Sequence, residues 1–179
     1  VKLHTGQGKY AEGEPLARRV LAIREKAAGP GHIDTAASLI DLATLLSYLN
    51  RQVEAAPLEQ RALDIRENVL GPKHPDTAQA LYNLGGSYQV LGRLAEAEAA
   101  FKRALAIREE ILPSDHLDIA SNLNDLAYLY QRQSRFAEAE PLYREQIAIL
   151  QTHATSATLN IRNASLARLL TDWAWSERG

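Results

Sequence analysis

A period of 42 residues constrains this sequence more than any other feature. Three copies of one unit open at Asp34, Asp76 and Asp118. The other residues that recur in the same register include Ala36, Ala78 and Ala120; Leu39, Leu81 and Leu123; Arg51, Arg93 and Arg135; Glu54, Glu96 and Glu138; and His32, His74 and His116. Periods of about 20–50 residues are typical of stacked supersecondary units, none of which buries its apolar face alone. The sequence therefore predicts a repeat array.

Each unit contains two helical patterns. In the third unit, Leu81, Leu84 and Tyr88 recur at steps of three and four, as along one face of an α-helix. Ala97 and Phe101 begin a second stripe of the same kind. The pattern thus predicts a pair of antiparallel helices in every unit.

The turn between the two helices carries residues that accept a left-handed backbone. Gly92 stands there in the third unit, Asn50 in the second and Gly8 in the first. Ser134 holds the same place in the fourth unit and fits it less well. A small residue also recurs inside each first helix, where Gly85 marks a predicted close crossing of two helices. Its counterparts are Ala43 and Ala127.

Prolines locate the start of the second helices. Pro15, Pro57 and Pro141 share one phase. Proline is tolerated in the first helical turn, where its missing N–H has no partner to lose. We therefore expect each second helix to begin a few residues before its proline. The acidic residues expected in the same turn, at the positive end of the helix dipole, are Glu54, Glu96 and Glu138.

These signals predict eight helices in one array covering residues 1–179. Their ranges are Tyr10–Ala28, Asp34–Leu49, Val53–Leu70, Thr77–Leu91, Ala95–Leu112, Ile119–Arg132, Ala137–Gln151 and Asn160–Trp175. Residues 1–33 form a truncated first repeat in this interpretation, because Val1–Gln7 has the phase of the end of a helix. Full repeats follow at 34–75, 76–117 and 118–159, and 160–179 is a capping helix or half a repeat. The chain is expected to be a fragment of a longer array or to begin with a truncated repeat.

Several of the repeated residues match the pattern of a known family. They are Leu84, Gly85, Tyr88, Ala97, Phe101 and Ala104. Together they resemble the tetratricopeptide repeat, and the strings GPKHPDTA and AEAEAAFKRALAIREE are similar to its kinesin light chain subtype. The resemblance implies an all-α fold, a right-handed superhelical α-solenoid of antiparallel helix pairs. It also implies a non-enzymatic scaffold that binds extended peptides on a concave face.

Composition narrows the partners. The chain has 46% apolar residues and a formal net charge of −2. Because it is not basic, its charge does not favour binding to nucleic acid or to an anionic membrane surface. The chain has no cysteine and therefore no thiolate chemistry or disulfide framework. No apolar run is long enough to span a membrane. A cytoplasmic location is the expectation, without cofactor or metal.

The periodic histidines and arginines each admit a second interpretation. His32, His74 and His116 would be spread along the array, whereas a metal site needs ligands that converge, so capping is the favoured role. The other set is Arg24, Arg66 and Arg108. It could form a basic ladder for an acidic ligand. The favoured role is instead a set of inter-repeat ion pairs, for example to the Asp that opens the next unit.

The candidate binding face consists of residues on the first helices that lie off the apolar stripes and vary between units. The resemblance places such residues on the concave surface. They are Asp41 and Thr44 in unit two; Gln79, Tyr82, Asn83 and Gln89 in unit three; and Ser121, Asn124, Asp125, Tyr128, Gln131 and Arg132 in unit four. Ile40, Ser47 and Gly86 accompany them. The set is largely neutral, which predicts an extended ligand of mixed or mildly basic character.

Three functions are compatible with these features. The first is a docking module for a protein or peptide segment. The second is a structural spacer, with end-to-end self-association through the truncated repeat ends. The third is a regulatory segment of a larger signalling ATPase or protease. No enzymatic activity is expected, because no set of catalytic residues converges in the repeat pattern.

Overall fold

The structure is a computed structural model that describes residues 10–153. Over that range the chain forms seven α-helices and no strand. They are α1 (Tyr10–Ala28), α2 (Ile33–Tyr48), α3 (Gln52–Leu70), α4 (Pro75–Val90), α5 (Leu94–Ile111), α6 (Leu117–Arg132) and α7 (Phe136–Thr152). Each lies within two residues of a predicted range. The predicted helix at Asn160–Trp175 and the helix end at Val1–Gln7 lie outside the described residues.

The described helices belong to two compact parts of the chain, divided inside α5 between Ala100 and Phe101. In the N-terminal part, α1 packs on α2, α2 on α3 and α3 on α4. In the C-terminal part, α6 packs on α7. Helices therefore pack against their neighbours in sequence, as the repeat pattern predicts.

The turn between the helices of a pair is the same in three units. Asn50, Gly92 and Ser134 have φ values of 58°, 73° and 59°, so all three are left-handed. The next residue, Arg51 in the second unit, donates its N–H to the carbonyl of Leu46 at 2.8 Å. The equivalent bonds in the other two turns measure 2.9 and 3.0 Å. This six-to-one bond is the Schellman motif, which closes the carbonyl end of a helix.

Histidines begin three of the helices. His32, His74 and His116 are the N-cap residues of α2, α4 and α6. In each, Nδ1 accepts a hydrogen bond from the backbone N–H two residues later, at 3.2, 3.1 and 3.1 Å. The capping role is confirmed. The first-turn acid Asp76 is not itself the cap of α4.

The placement of the prolines in the first helical turn is wrong. Pro15, Pro57 and Pro141 each occupy the sixth position of their helix. There the missing N–H removes one intrahelical bond, which in α3 would end on the carbonyl of Val53. Val53 is 75% exposed, so water can reach this end of the helix. Glu54 and its counterparts do lie in the first turn, as predicted.

Small residues occupy one repeated core position of the first helices. Ala43, Gly85 and Ala127 are all buried, as the aligned positions predict. Around them lie the leucines of the helical stripes. The largest of the fully buried side chains are Phe101, Leu39, Leu42, Leu46, Leu84, Ile119, Leu123 and Leu129. This periodic burial leaves one side of α2, α4 and α6 free of core contacts.

Candidate functional site

The predicted binding residues all lie on α2, α4 and α6, and none of them is buried. The exposed ones are Asp41, Gln79, Ser121, Tyr128 and Arg132. The half-buried ones are Thr44, Tyr82, Asn83, Gln89, Asn124, Asp125 and Gln131. We call these residues the polar face. Its binding role stays a prediction.

On α4 the polar face is an open surface of amides with one tyrosine. Nε2 of Gln79 donates to Oδ1 of Asn83 at 2.8 Å, so these two amides are aligned along the helix. Tyr82 lies between them in sequence and is half-buried. At Gly86 an added Cβ would meet nothing within 4 Å, so a shallow opening follows the amide pair. This part of the face can hydrogen-bond an extended backbone and still accept a side chain.

On α6 the polar face meets a tyrosine of the next helix. The hydroxyl of Tyr143 in α7 donates to Oε1 of Gln131 at 3.0 Å. Burial raises the pKa of Tyr143 to about 12, with smaller contributions from Tyr128 and Asp125. The four residues therefore form one cluster around a phenol that stays neutral at physiological pH. Tyr128 is 47% exposed and is the part of this cluster that a partner can reach.

Two other polar side chains of α6 already bond within their own helix. Ser121 donates its hydroxyl to the carbonyl of Leu117 at 2.9 Å. Nδ2 of Asn124 donates to Oδ1 of Asp125 at 3.1 Å. Binding a ligand with these groups would exchange existing bonds, as it would for the Gln79–Asn83 pair of α4.

Tyr143 is the member of the cluster that sequence reasoning missed. It belongs to a second helix, and the prediction took only first helices. Its phase equivalents are Phe101, which is buried, and Glu59. An aromatic ring with a hydroxyl in a core phase was a signal of a buried group that needs a polar partner.

The three repeated arginines bond the start of the next first helix. Arg24, Arg66 and Arg108 each donate from Nη1 to the backbone carbonyl of the Asp that opens the next unit, at 3.1, 2.7 and 3.0 Å. The partner residue was predicted correctly, but the acceptor is a carbonyl and not a carboxylate. Arg108 is 3% exposed, which excludes it from a surface that binds an acidic ligand.

Side chains on the facing helix complete two of these arginine sites. Arg24 also bonds Oγ of Ser38 at 2.8 Å, and Arg108 bonds Oδ1 of Asn122 at 3.2 Å. Nδ2 of Asn122 in turn donates to the carbonyl of Phe101 at 2.9 Å. In both sites one Nη1 atom bonds a backbone carbonyl and a side chain of the facing helix, and these paired bonds favour one register of the two helices.

A second set of arginines holds the turns. Arg51 and Arg135 donate from Nε to the glutamate three residues later, at 2.6 and 2.7 Å, and Arg93 bonds Glu96 in the same way. The guanidinium of Arg93 lies 4.3 Å from the ring centroid of Tyr88, and that of Arg135 lies 4.1 Å from Tyr130. Hydrogen bonding to Glu54 raises the pKa of Arg51 further. These repeated arginines and glutamates therefore serve the fold.

Neither metal nor membrane features emerge from the part of the chain that the structure describes. Within residues 10–153 no three His, Cys, Asp or Glu side chains group as metal ligands would. Over the same residues, no helix combines the length and the apolar character needed to cross a bilayer.

Comparison with protein families decides the kind of repeat. The model of the tetratricopeptide repeat matches residues 2–68, 60–110 and 76–152, which together span most of the chain. The chain belongs to the tetratricopeptide repeat family. Its fold is an all-α tetratricopeptide solenoid. Repeats of this family generally mediate protein–protein interaction.

Solved structures support the subtype. A crystal structure of nearly identical TPR-like repeats from Podosopora anserina, described as a kinesin light chain, matches with a TM-score of 0.83 at 25% identity, covering 96% of this chain and 82% of that chain. A variant of the same repeats matches with a TM-score of 0.84 at 24% identity and the same coverage. BtubC (BKLC) from P. vanneervenii shares the fold, with a TM-score of 0.80 at 22% identity over 96% of this chain and 70% of that chain. The tetratricopeptide repeats of this chain are thus kinesin light chain-like. No curated protein sequence matches it significantly.

Proposed function

We propose that this tetratricopeptide array is a non-enzymatic, cytoplasmic docking scaffold that binds an extended peptide segment of a partner protein on its polar face. The observation that carries the proposal is the surface of α4, where the Gln79–Asn83 amide pair lies beside a half-buried tyrosine and ahead of the open position at Gly86. Such a surface offers donors and acceptors to a peptide backbone and space to a side chain.

The charge of the polar face sets the class of ligand. Among the residues of the polar face, Asp41 and Asp125 are negative, Arg132 is positive, and the rest are neutral. A strongly acidic ligand would therefore meet no basic ladder, since Arg24 and its equivalents are engaged with backbone carbonyls. The ligand that fits is a segment of mixed or mildly basic character, with one or two apolar side chains near Tyr82 or Tyr128.

The expected affinity follows from the kind of bond. Hydrogen bonds between neutral groups contribute about 0.5–1.5 kcal/mol each. Several of them, together with apolar contacts at Tyr82 and Tyr128, should reach the total of about 8 kcal/mol that a micromolar dissociation constant requires. Because few charges take part, binding should depend only weakly on salt.

The test is a selection of short random peptides by display against the intact chain. Selected peptides should bind the double variant Tyr82→Ala with Asn83→Ala at least about tenfold more weakly than the parent. The matched control, Asn68→Ala with Val69→Ala, changes two exposed residues at the end of α3 and should bind like the parent. Both variants should melt within a few degrees of the parent.

Two results would contradict docking on this face. One is the same affinity for the parent and the Tyr82/Asn83 variant. The other is an affinity that collapses between low and moderate salt, which would indicate binding by charge. A chain that selects no peptide but associates with itself in a concentration-dependent way would favour the alternative function, a structural spacer.

A further inference from the structure

The junction between α3 and α4 buries a carboxyl where the equivalent positions of the array hold alanine or an aromatic ring. Glu59 of α3 and Ser87 of α4 are both buried, at 8% and 3% exposure. The residues in the same repeat phase are Ala17, Phe101 and Tyr143 for the first position, and Leu45 and Leu129 for the second. Of these equivalents only Tyr143 has a polar group, a phenol that bonds Gln131. Glu59 is the one ionisable carboxyl in this phase.

The carboxyl of Glu59 is only partly compensated. It accepts a hydrogen bond from the hydroxyl of Ser87. Its Oε2 atom is buried without a hydrogen-bond partner in the described part of the chain. Burial raises the pKa of Glu59, and the bond from Ser87 lowers it by less. A buried carboxylate with one neutral donor is costly in its charged form.

A second uncompensated group lies two turns along the same helix. Arg66 reaches the carbonyl of Asp76, but its Nε is buried and has no partner among residues 10–153. At the position where Ser38 and Asn122 bond the equivalent arginines, α4 has Ala80. Burial lowers the pKa of Arg66. Both ends of the α3–α4 interface thus hold a polar atom that hydration would stabilise.

We propose that the α3–α4 junction is the joint at which this solenoid opens, and that ionisation of Glu59 promotes the opening. In the closed junction the carboxylate stays dry, whereas local separation of α4 from α3 lets water reach both Glu59 and Arg66. Since α4 carries the amide pair of the polar face, the joint would couple the proton occupancy of one carboxyl to the position of that surface.

Other titratable groups of the packed helices do not explain the behaviour of Glu59. Those of α2 are Asp34, Asp41 and Tyr48, all exposed, and those of α4 are Asp76, which is exposed, and Tyr82 and Tyr88, which are half-buried. Asp76 acts on Arg66, and Tyr88 donates its hydroxyl to Gln60 at 3.2 Å. None of them contributes to the pKa of Glu59, which burial and Ser87 determine.

The direction of the pH effect follows from the raised pKa. The closed junction holds the proton of Glu59 more tightly than the open junction, so protonation favours closure. The stability of the closed state is fully present below the ordinary glutamate pKa of 4.5. It is lost progressively as the pH rises from there towards the raised pKa of the buried carboxyl.

Hydrogen exchange on the intact chain tests the joint. Protection factors of the α4 amides, each corrected for its intrinsic exchange rate, are compared with those of α6 between pH 5 and pH 8. The α4-to-α6 ratio should fall as the pH rises. Glu59→Gln, which keeps the shape and removes the charge, should hold the ratio constant and increase α4 protection at pH 8 above that of the parent.

Two further variants keep the result interpretable. Asp64→Asn removes an exposed carboxylate from the same helix and should leave the parent pH dependence intact. Glu59→Phe with Ser87→Leu introduces the pair found at Phe101 and Leu129. Like Glu59→Gln, this double variant should abolish the pH dependence of the protection ratio. The proposal is overturned if Glu59→Gln, or the apolar pair where the glutamine variant does not fold, retains the pH dependence of the parent. It is also overturned if the protection ratio of the parent does not change with pH.

Discussion

Ser134 shows how a single residue can oppose the turn that its repeat requires. It adopts φ 59° in the turn between α6 and α7, where the third unit has Gly92 at φ 73°. A left-handed backbone costs a residue with a Cβ about 1–2 kcal/mol. Glycine avoids this cost, but it loses more conformational entropy on folding, which offsets part of the advantage. Ser134→Gly should therefore raise the free energy of unfolding by about 0.5–1 kcal/mol.

The reciprocal change provides the control. Gly92→Ser should lower the free energy of unfolding by a similar amount, and both are measured by urea denaturation at equilibrium. Equal stabilities of the parent and the two variants would mean that the left-handed turn is not a strained feature of this chain.

Adjacent glycines on α4 should respond in opposite ways to one substitution. Gly85 is buried, as expected of the predicted helix crossing, whereas a Cβ at Gly86 meets nothing within 4 Å. Gly85→Leu should destabilise by about 1–3 kcal/mol through overpacking. Gly86→Leu should be neutral or stabilising, by up to about 1 kcal/mol, because leucine favours the helix more than glycine does. Thermal melts in which the two variants behave alike would refute the assigned crossing.

At the scale of helices, an ion pair between α1 and α3 is replaced by two glutamates at the equivalent positions of α5 and α7. Nη1 of Arg61 in α3 donates to Oε1 of Glu25 in α1 at 2.6 Å. Two repeats later the same phases hold Glu145 of α7 and Glu109 of α5. The pKa of Glu109 is raised, first by burial and then by the like charge of Glu145. This interface therefore loses stability as the carboxyl of Glu109 ionises.

Restoring the arginine should stabilise that interface. Glu145→Arg is expected to raise the free energy of unfolding at pH 7 by about 0.2–1 kcal/mol, the range of exposed ion pairs. A group with a raised folded pKa contributes stability below its unfolded pKa, here 4.5, and loses it as the pH rises. The benefit of the variant should thus be larger at pH 7 than at pH 4, measured by urea denaturation at both values.

Glu145→Gln separates the two parts of this effect. It removes the repulsion without adding a pair and should give a smaller gain than arginine. A benefit of Glu145→Arg that is the same at pH 4 and pH 7 would show that the carboxyl of Glu109 is not involved.

The helices themselves were predictable because their signals are local and repeated three or four times. Stripes, capping residues and turn residues agree in phase, so each helix end was located within two residues. The proline position was wrong because an exposed helix edge tolerates the loss of one bond that an isolated-helix rule forbids. The sequence shows that Arg61 and Glu145 occupy equivalent positions of the repeat. Their partners on the adjacent helices, Glu25 and Glu109, could be identified only from the structure.

The candidate site was less predictable than the fold. Sequence reasoning predicted a polar face on α2, α4 and α6, and its residues are exposed or half-buried there. It could not reveal the Gln79–Asn83 bond or the bond that Tyr143 makes to Gln131. Those contacts depend on rotamers and on packing between helices. Buried polar groups such as Glu59 were also missed, because a single deviation from an apolar phase resembles ordinary variation at the surface.

For the molecule as a whole, family membership establishes the kind of fold, but not the handedness of the array or the bounds of its repeats. The right-handed superhelix and the division into repeats at 34–75, 76–117 and 118–159 stay predictions. So does the capping helix at 160–179, whose residues lie outside the described range. Membership of the tetratricopeptide family establishes the solenoid and its general role in protein interaction. The identity of the binding face depends on this chain's own residues.

The central claim, docking on the polar face, is tested most directly by amide chemical shifts. A peptide selected by display is titrated into isotope-labelled chain, and the perturbed backbone amides are mapped. The account predicts that they cluster on α4 between Gln79 and Gln89 and on α6 near Tyr128, and that Asn83→Ala diminishes the shifts. Perturbations confined to α3, α5 or α7, with the amides of α4 unchanged, would contradict it.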